Sequence, residues 1–179
     1  TSAIDPVDDG ETEDLERFPT PGLRTIAALA EAFPDIASPE RQIKTLVYLV
    51  DERPVLVLLR GDHDLQEQKL LDAAGASEGR PARPEEIRPL LGADPGSLGA
   101  VGVTDIPIFA DIALKGRRNM TTGANEDDWH LRGVDVERDI AVTTWTDLRE
   151  VVDGDLCVQD GGKLELWKEI ETLSLEAWE

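Results

Sequence analysis

The stretch TLVYLVDERPVLVLLR, residues 45–60, decides the fold. Thr45–Val50 and Pro54–Arg60 are two runs rich in β-branched and aliphatic residues, each the length of a strand. Asp51-Glu52-Arg53 between them reads as a hairpin loop. Neither run alternates polar with apolar, so both faces of the sheet must be covered, and helices are expected to pack on it.

Helical signals flank this hairpin. Thr25 reads as an N-cap, followed at helical spacing by Ile26, Leu29, Ala30 and Phe33, with Pro34 closing the helix. Ser38-Pro39-Glu40 predicts a short helix that carries Ile43 and ends near Lys44. Asp64 is expected to cap a helix through Leu65, Lys69, Leu70 and Leu71 that ends near Gly75. Another should open at Pro84 and close at Gly92, and Thr146–Val152 reads as helical. Further strands are expected at Ile106–Ala110, Asn119–Gly123 and Trp129–Val134, and Lys163–Trp167 as an edge strand or exit segment. The expected class is α/β (α+β), with a mixed, mostly antiparallel central sheet flanked by helices. Residues 1–17 read as an acidic lead-in, 18–156 as the domain and 157–179 as an exit segment.

The chain has 179 residues, 38 acids against 18 bases and a net charge of −20. That balance argues against gripping a phosphate backbone over a wide face, but leaves room for a pocket that takes one terminal nucleotide. No apolar run approaches the ~20 residues of a membrane helix, and no leader is seen. The lone Cys157 and the absence of a leader make the cytoplasm the expected compartment. The two histidines, His63 and His130, and one cysteine give no zinc-like ligand pair. Asp127 and Asp128 could hold magnesium, although adjacent loop acids are usually just solvated. No metal and no cofactor are expected.

Several residues carry possible chemistry. Lys44, at a junction before a buried strand, could pair with a phosphate or ribose oxygen, or simply snorkel. Asp111 ends a strand, where it could face a ligand or cap the following turn. His130 follows the acidic run Glu126-Asp127-Asp128, whose carboxylates should raise its pKa. His63, beside Asp62, reads as structural. Pro95-Gly96-Ser97-Leu98-Gly99 could present backbone N–H groups to an oxygen-rich ligand or be an ordinary turn.

Taken together, six segments resemble the editing insertion domain of bacterial-type prolyl-tRNA synthetase, within the YbaK-like deacylase superfamily. They are Thr20–Ile26, Lys44–Leu46, Arg60–His63, Pro95–Gly99, Ile106–Asp111 and Gly123–His130, in the family's order and spacing. The resemblance implies hydrolysis of alanine wrongly attached to proline tRNA. It implies catalytic roles for Lys44, Asp111 and His130, and substrate contacts from Thr20, Gly96, Ser97, Leu98, Gly99, Gly123 and Asn125. It also implies two partners: the acceptor end of proline tRNA and the remainder of a synthetase. Two departures stand out. Ala100 replaces the proline that follows the glycine-rich loop, and Cys157-Val-Gln-Asp160 replaces a Cys-x-x-Cys pair. A free-standing deacylase for another mischarged tRNA, such as cysteinyl-tRNA(Pro), and a non-catalytic tRNA-positioning insertion are the alternatives.

Overall fold

The computed structural model describes residues 13–151. The deciding stretch forms an antiparallel hairpin of β2 (Ile43–Val50) and β3 (Arg53–Arg60), in register from Ile43↔Arg60 to Val50↔Arg53. Asp51 and Glu52 make the two-residue turn, with φ of 49° and 69°. Such a turn matches the twist of the strands but strains residues other than glycine. The Asp51 carboxylate offsets this by accepting the N–H groups of Ser77 and Glu78, each at 3.1 Å. That contact leads the chain into a short strand, β4 (Gly79–Pro81), against β2.

The larger sheet has the order β4-β2-β3-β5-β8, with β5 (Ile108–Asp111) and β8 (Thr144–Thr146) parallel to β3. A smaller antiparallel sheet has the order β1-β7-β6, from Glu16–Pro19, Trp129–Val134 and Met120–Gly123. The pairing is mixed and mostly antiparallel, as expected. There are two sheets where one was expected, joined at a parallel bridge between Gln42 and Thr121.

The continuous apolarity of β3 is used on both faces. Val55, Val57 and Leu59 join Leu70 of α2 (Glu67–Ala74) in one buried cluster. Leu56 and Leu58 pack on the other face with Ile87 of α3 (Pro84–Leu91) and with Met120 and Val134 of the smaller sheet. The helix α1 (Ile26–Ala32) is capped by Thr25, whose hydroxyl accepts the N–H of Ala28 at 3.0 Å. Gly75 and Gly92 end α2 and α3 as expected. A final short helix, α4, covers Val136–Asp139.

Four local expectations are corrected. No helix runs from Ser38 to Lys44: Pro39–Arg41 is one 3-10 turn, and β2 begins at Ile43. The Gln42 amide donates to the carbonyls of Ile26 and Ala37, and the Gly61 N–H bonds the Gln42 carbonyl, which draws this segment into the sheet. Gln66, and not Asp64, caps α2, because Leu65 is held extended by a bridge to Arg149. Thr146–Val152 is not helical over its described residues: Thr146 ends β8, and the N–H groups of Leu148 and Arg149 are taken by Asp111. β1 begins at Glu16, within the stretch read as lead-in. Lys163–Trp167 and the exit segment from Cys157 lie outside the described residues.

Candidate functional site

Alternation along β2 opens the site. The Gln42 carbonyl points to β3, bonding Gly61, while the Val47 carbonyl points away from it to Ala82. β4 pairs only with Tyr48–Val50. Between β4 and the Gln42–Thr121 bridge, the edge of β2 is therefore uncovered by any described strand. Facing this gap is a cavity of about 290 Å³, lined by β2, the start of α1, the Pro95–Leu98 loop and the ends of β6 and β7.

The loop wall is fixed by glycines and by one asparagine. Gly96 has φ 105°, in the region that favours glycine, and a Cβ there would strike Arg24. Gly99 and Gly123 pack main chain on main chain, and a Cβ on either would overlap its neighbour's backbone. The Asn125 side chain accepts the Gly99 N–H and donates to the Gly99 carbonyl, both at 2.8 Å. The Asn125 N–H bonds the Ser97 carbonyl at 2.8 Å. Ser97 is buried and its hydroxyl accepts the Asp128 N–H. The loop is thus held although Ala100 stands where the family has proline. Among the described residues, the N–H groups of Gly96 and Leu98 have no protein acceptor.

His130 joins this loop to the smaller sheet. It is 5% exposed, and Nδ1 lies 2.6 Å from the hydroxyl of the fully buried Thr20. The ring also hydrogen-bonds the Gly96 main chain. A neutral imidazole has one N–H and one acceptor nitrogen. With the N–H given to Gly96, the Thr20 hydroxyl donates to Nδ1. Burial lowers the His130 pKa below its ordinary value, and the bond to Gly96 opposes this only in part. The expected rise is corrected, because the carboxylates credited with it turn elsewhere. Asp127 pairs with Arg88 at 3.0 Å and accepts the Asp94 N–H. Asp128 lies 3.6 Å from Arg24 and accepts the Gly22 N–H.

Lys44 lines the pocket, with Nζ donating to the His63 carbonyl at 2.5 Å and to Asp64 at 3.1 Å. Asp111 does not line it. Its carboxylate is fully buried and accepts the N–H groups of Ala113, Leu148 and Arg149, so it acts as a cap. His63 also lies outside the lining. Burial and then Arg60 lower its pKa, and its Nδ1 has no partner. Asp62 is engaged by Arg60 at 2.6 Å and does not orient the ring, which lies 3.9 Å away. The structure thus brings Lys44, His130, Gly96, Leu98 and Gly123 together around the pocket. It places Thr20, Ser97, Gly99 and Asn125 behind them and sets Asp111 apart. Sequence reasoning missed Thr45 and Thr122, which also line the pocket.

A pocket beneath a glycine-built loop, between a β-hairpin edge and a buried histidine, is the candidate site of this mixed α/β fold. The model of the aminoacyl-tRNA editing domain family matches residues 20–139, and the chain belongs to that family. It is 51% identical over 158 residues to proline--tRNA ligase 1 of Anaeromyxobacter dehalogenans (strain 2CP-C), covering 87% of this chain and 27% of the ligase. It is 41% identical to the proline--tRNA ligase of Geobacter sulfurreducens, covering 93% of this chain and 29% of the ligase. The chain therefore spans less than a third of these curated relatives. Among solved structures, a candidate trans-editing enzyme for prolyl tRNA synthetase superposes with a TM-score of 0.66 at 27% identity, covering 76% of this chain and 87% of the other. No described helix is long and apolar enough to cross a membrane.

Proposed function

We propose that the chain is the editing domain of a proline--tRNA ligase and hydrolyses the ester of alanyl-tRNA(Pro) in the cytoplasm. The observation that supports this best is the loop wall. It carries two N–H groups without a protein acceptor among the described residues, of Gly96 and Leu98, beside a pocket of about 290 Å³. An ester is already activated toward water, so donors placed where the oxyanion develops can contribute ~3–4 kcal/mol without a protein nucleophile. Lys44 sits at the rim as the cation for a phosphate or ribose oxygen, and on binding it exchanges its contact with Asp64 for that group. His130 acts through Gly96: the ring, whose pKa burial lowers, positions the loop. Selection of alanine over proline rests on size, at ~1–3 kcal/mol per methylene.

The acidic surface fits a domain that borrows tRNA affinity from a synthetase body. The test is deacylation of alanyl-tRNA(Pro), with prolyl-tRNA(Pro) alongside, at low salt and high enzyme concentration. Alanine release that is at least ~100-fold weaker in Lys44→Ala and His130→Ala, both still folded, is the expected result. Release of cysteine but not alanine points to the alternative specificity. No release from any ester by the folded chain, alone or within the ligase, would make it a positioning insertion.

A further inference from the structure

The charge at the pocket runs against that of the chain. In a sequence of net charge −20, the charged residues that line the cavity are Arg24 and Lys44, and no carboxylate among the described residues joins them. Lys44 comes from β2, and Arg24 immediately precedes the Thr25 cap of α1. Lys44 already has two acceptors, the His63 carbonyl and Asp64. Arg24 has none at hydrogen-bond range among the described residues: its guanidinium lies 4.0 Å from Asp94 and 3.6 Å from Asp128. Both acids are engaged elsewhere, Asp94 by Arg88 at 3.0 Å and Asp128 by the Gly22 N–H at 3.1 Å. The Arg24 stem, by contrast, is held. Gly96 packs on it so closely that a Cβ there would lie 2.6 Å from the Arg24 Cβ and from its carbonyl oxygen. A fixed stem beside the loop thus carries a half-exposed head whose N–H donors are unspent.

Such a head suits an anion with paired oxygens. A guanidinium binds phosphate through parallel N–H···O bonds, which a lysine cannot reproduce. In an amino acid ester on a terminal nucleotide, only one group near the sugar carries a full negative charge. It is the phosphodiester that joins this nucleotide to the one before it. The ester, ribose and base are neutral, and an amine is not drawn to two cations. We infer that Arg24 is a substrate-binding residue that takes the phosphodiester of the terminal nucleotide. This rests on reading the pocket as an aminoacyl-ester site. The exchange costs little, because the contacts with Asp94 and Asp128 are long and exposed. Since Gly96 packs on the Arg24 stem, phosphate and loop are held by one unit. The domain then selects an ester carried by a nucleotide over the same ester on a simple alcohol.

The test uses the whole 179-residue chain. Two hydrolysis-resistant probes are titrated by NMR: 3′-alanylamido-3′-deoxyadenosine, and the same compound carrying a 5′-(methyl phosphate), which has the single charge of a phosphodiester. The wild type should favour the phosphate probe by at least about tenfold, the value of one charge-assisted hydrogen bond. Arg24→Gln should cut that preference to about threefold or less and leave affinity for the nucleoside probe as it was. On a CCA trinucleotide ending in the same alanylamide, the slope of log K against log salt should flatten by about 0.7 in this variant, one single-strand phosphate contact. No phosphate preference in the wild type overturns the assignment, as does a preference or a salt slope that survives Arg24→Gln. Equal loss for both probes also overturns it, assigning Arg24 to the shape of the loop. If Arg24→Gln does not fold, Arg24→Met, which keeps the stem against Gly96, takes its place. Hydrolysis of alanyl-tRNA(Pro) is read in parallel. A phosphate preference that needs Arg24, without hydrolysis, keeps the assignment and removes the hydrolase. Hydrolysis without a phosphate preference keeps the hydrolase and removes the assignment.

Discussion

His130 and Asp111 are both buried polar residues in or at the end of a strand, yet they sit in two different kinds of region. Around His130, loops are joined through side chains: Thr20 to the ring, Asn125 to Gly99, Ser97 to Asp128. Around Asp111, one carboxylate gathers three main-chain N–H groups and fixes where the chain leaves β5 and where residues 148–149 cross it. The first region has polar capacity left over, in Thr45 and Thr122, while the Asp111 carboxylate is fully used within the fold. Position at the cavity, more than residue type, separates the pocket-lining His130 from the structural Asp111.

The largest effect expected from this contrast is at Asp111. Asp111→Ala orphans three buried donors at ~1–3 kcal/mol each, so urea unfolding should show a loss above ~3 kcal/mol. A stable Asp111→Ala protein that has lost only hydrolysis would break the comparison and return Asp111 to the site. Next comes Gly99→Ala, which drives a methyl into the Gly123 carbonyl. It should cost ~1–3 kcal/mol. Deacylation should fall on the order of 100-fold, because the loop donors move. Full activity in this variant would show that the loop wall is not the rigid one. The smallest effect is in pH dependence. His63 and His130 both have pKa values lowered from 6.5, by burial first. The unfolded chain thus binds protons more readily, so stability is full above pH 6.5 and drains as pH falls toward the lowered folded values. Urea midpoints should fall between about pH 7.5 and about pH 5, and the slope should flatten in the His63→Asn, His130→Asn double variant.

What was legible in the sequence was local. The Thr25 cap, the glycines that end two helices and the hairpin at residues 45–60 each declare themselves within a few residues. Membership of the family was legible because six short segments keep their order and spacing. The errors arose where distant partners override local pattern. Residues 146–152 have helical spacing, but Asp111, 37 residues before Leu148, takes the N–H groups that a helix would need. The split into two sheets was not legible, since it depends on Phe18 pairing with His130, 112 positions away. The lowered pKa of His130 was hidden too. Three nearby acids suggested the opposite, and only the placement of Arg24 and Arg88 shows where two of those charges go.

The uncovered edge of β2 carries a hazard that is separate from catalysis. An unpaired strand edge is a template on which another chain can add a strand, and such edges are a common start of aggregation. Here the gap is only a few residues long, ended by β4 on one side and by the Gln42–Thr121 bridge on the other. Pro95, Gly96 and Leu98 line the same cavity as what remains. The stretch of β2 left without a strand partner is thus too short to seed a foreign strand.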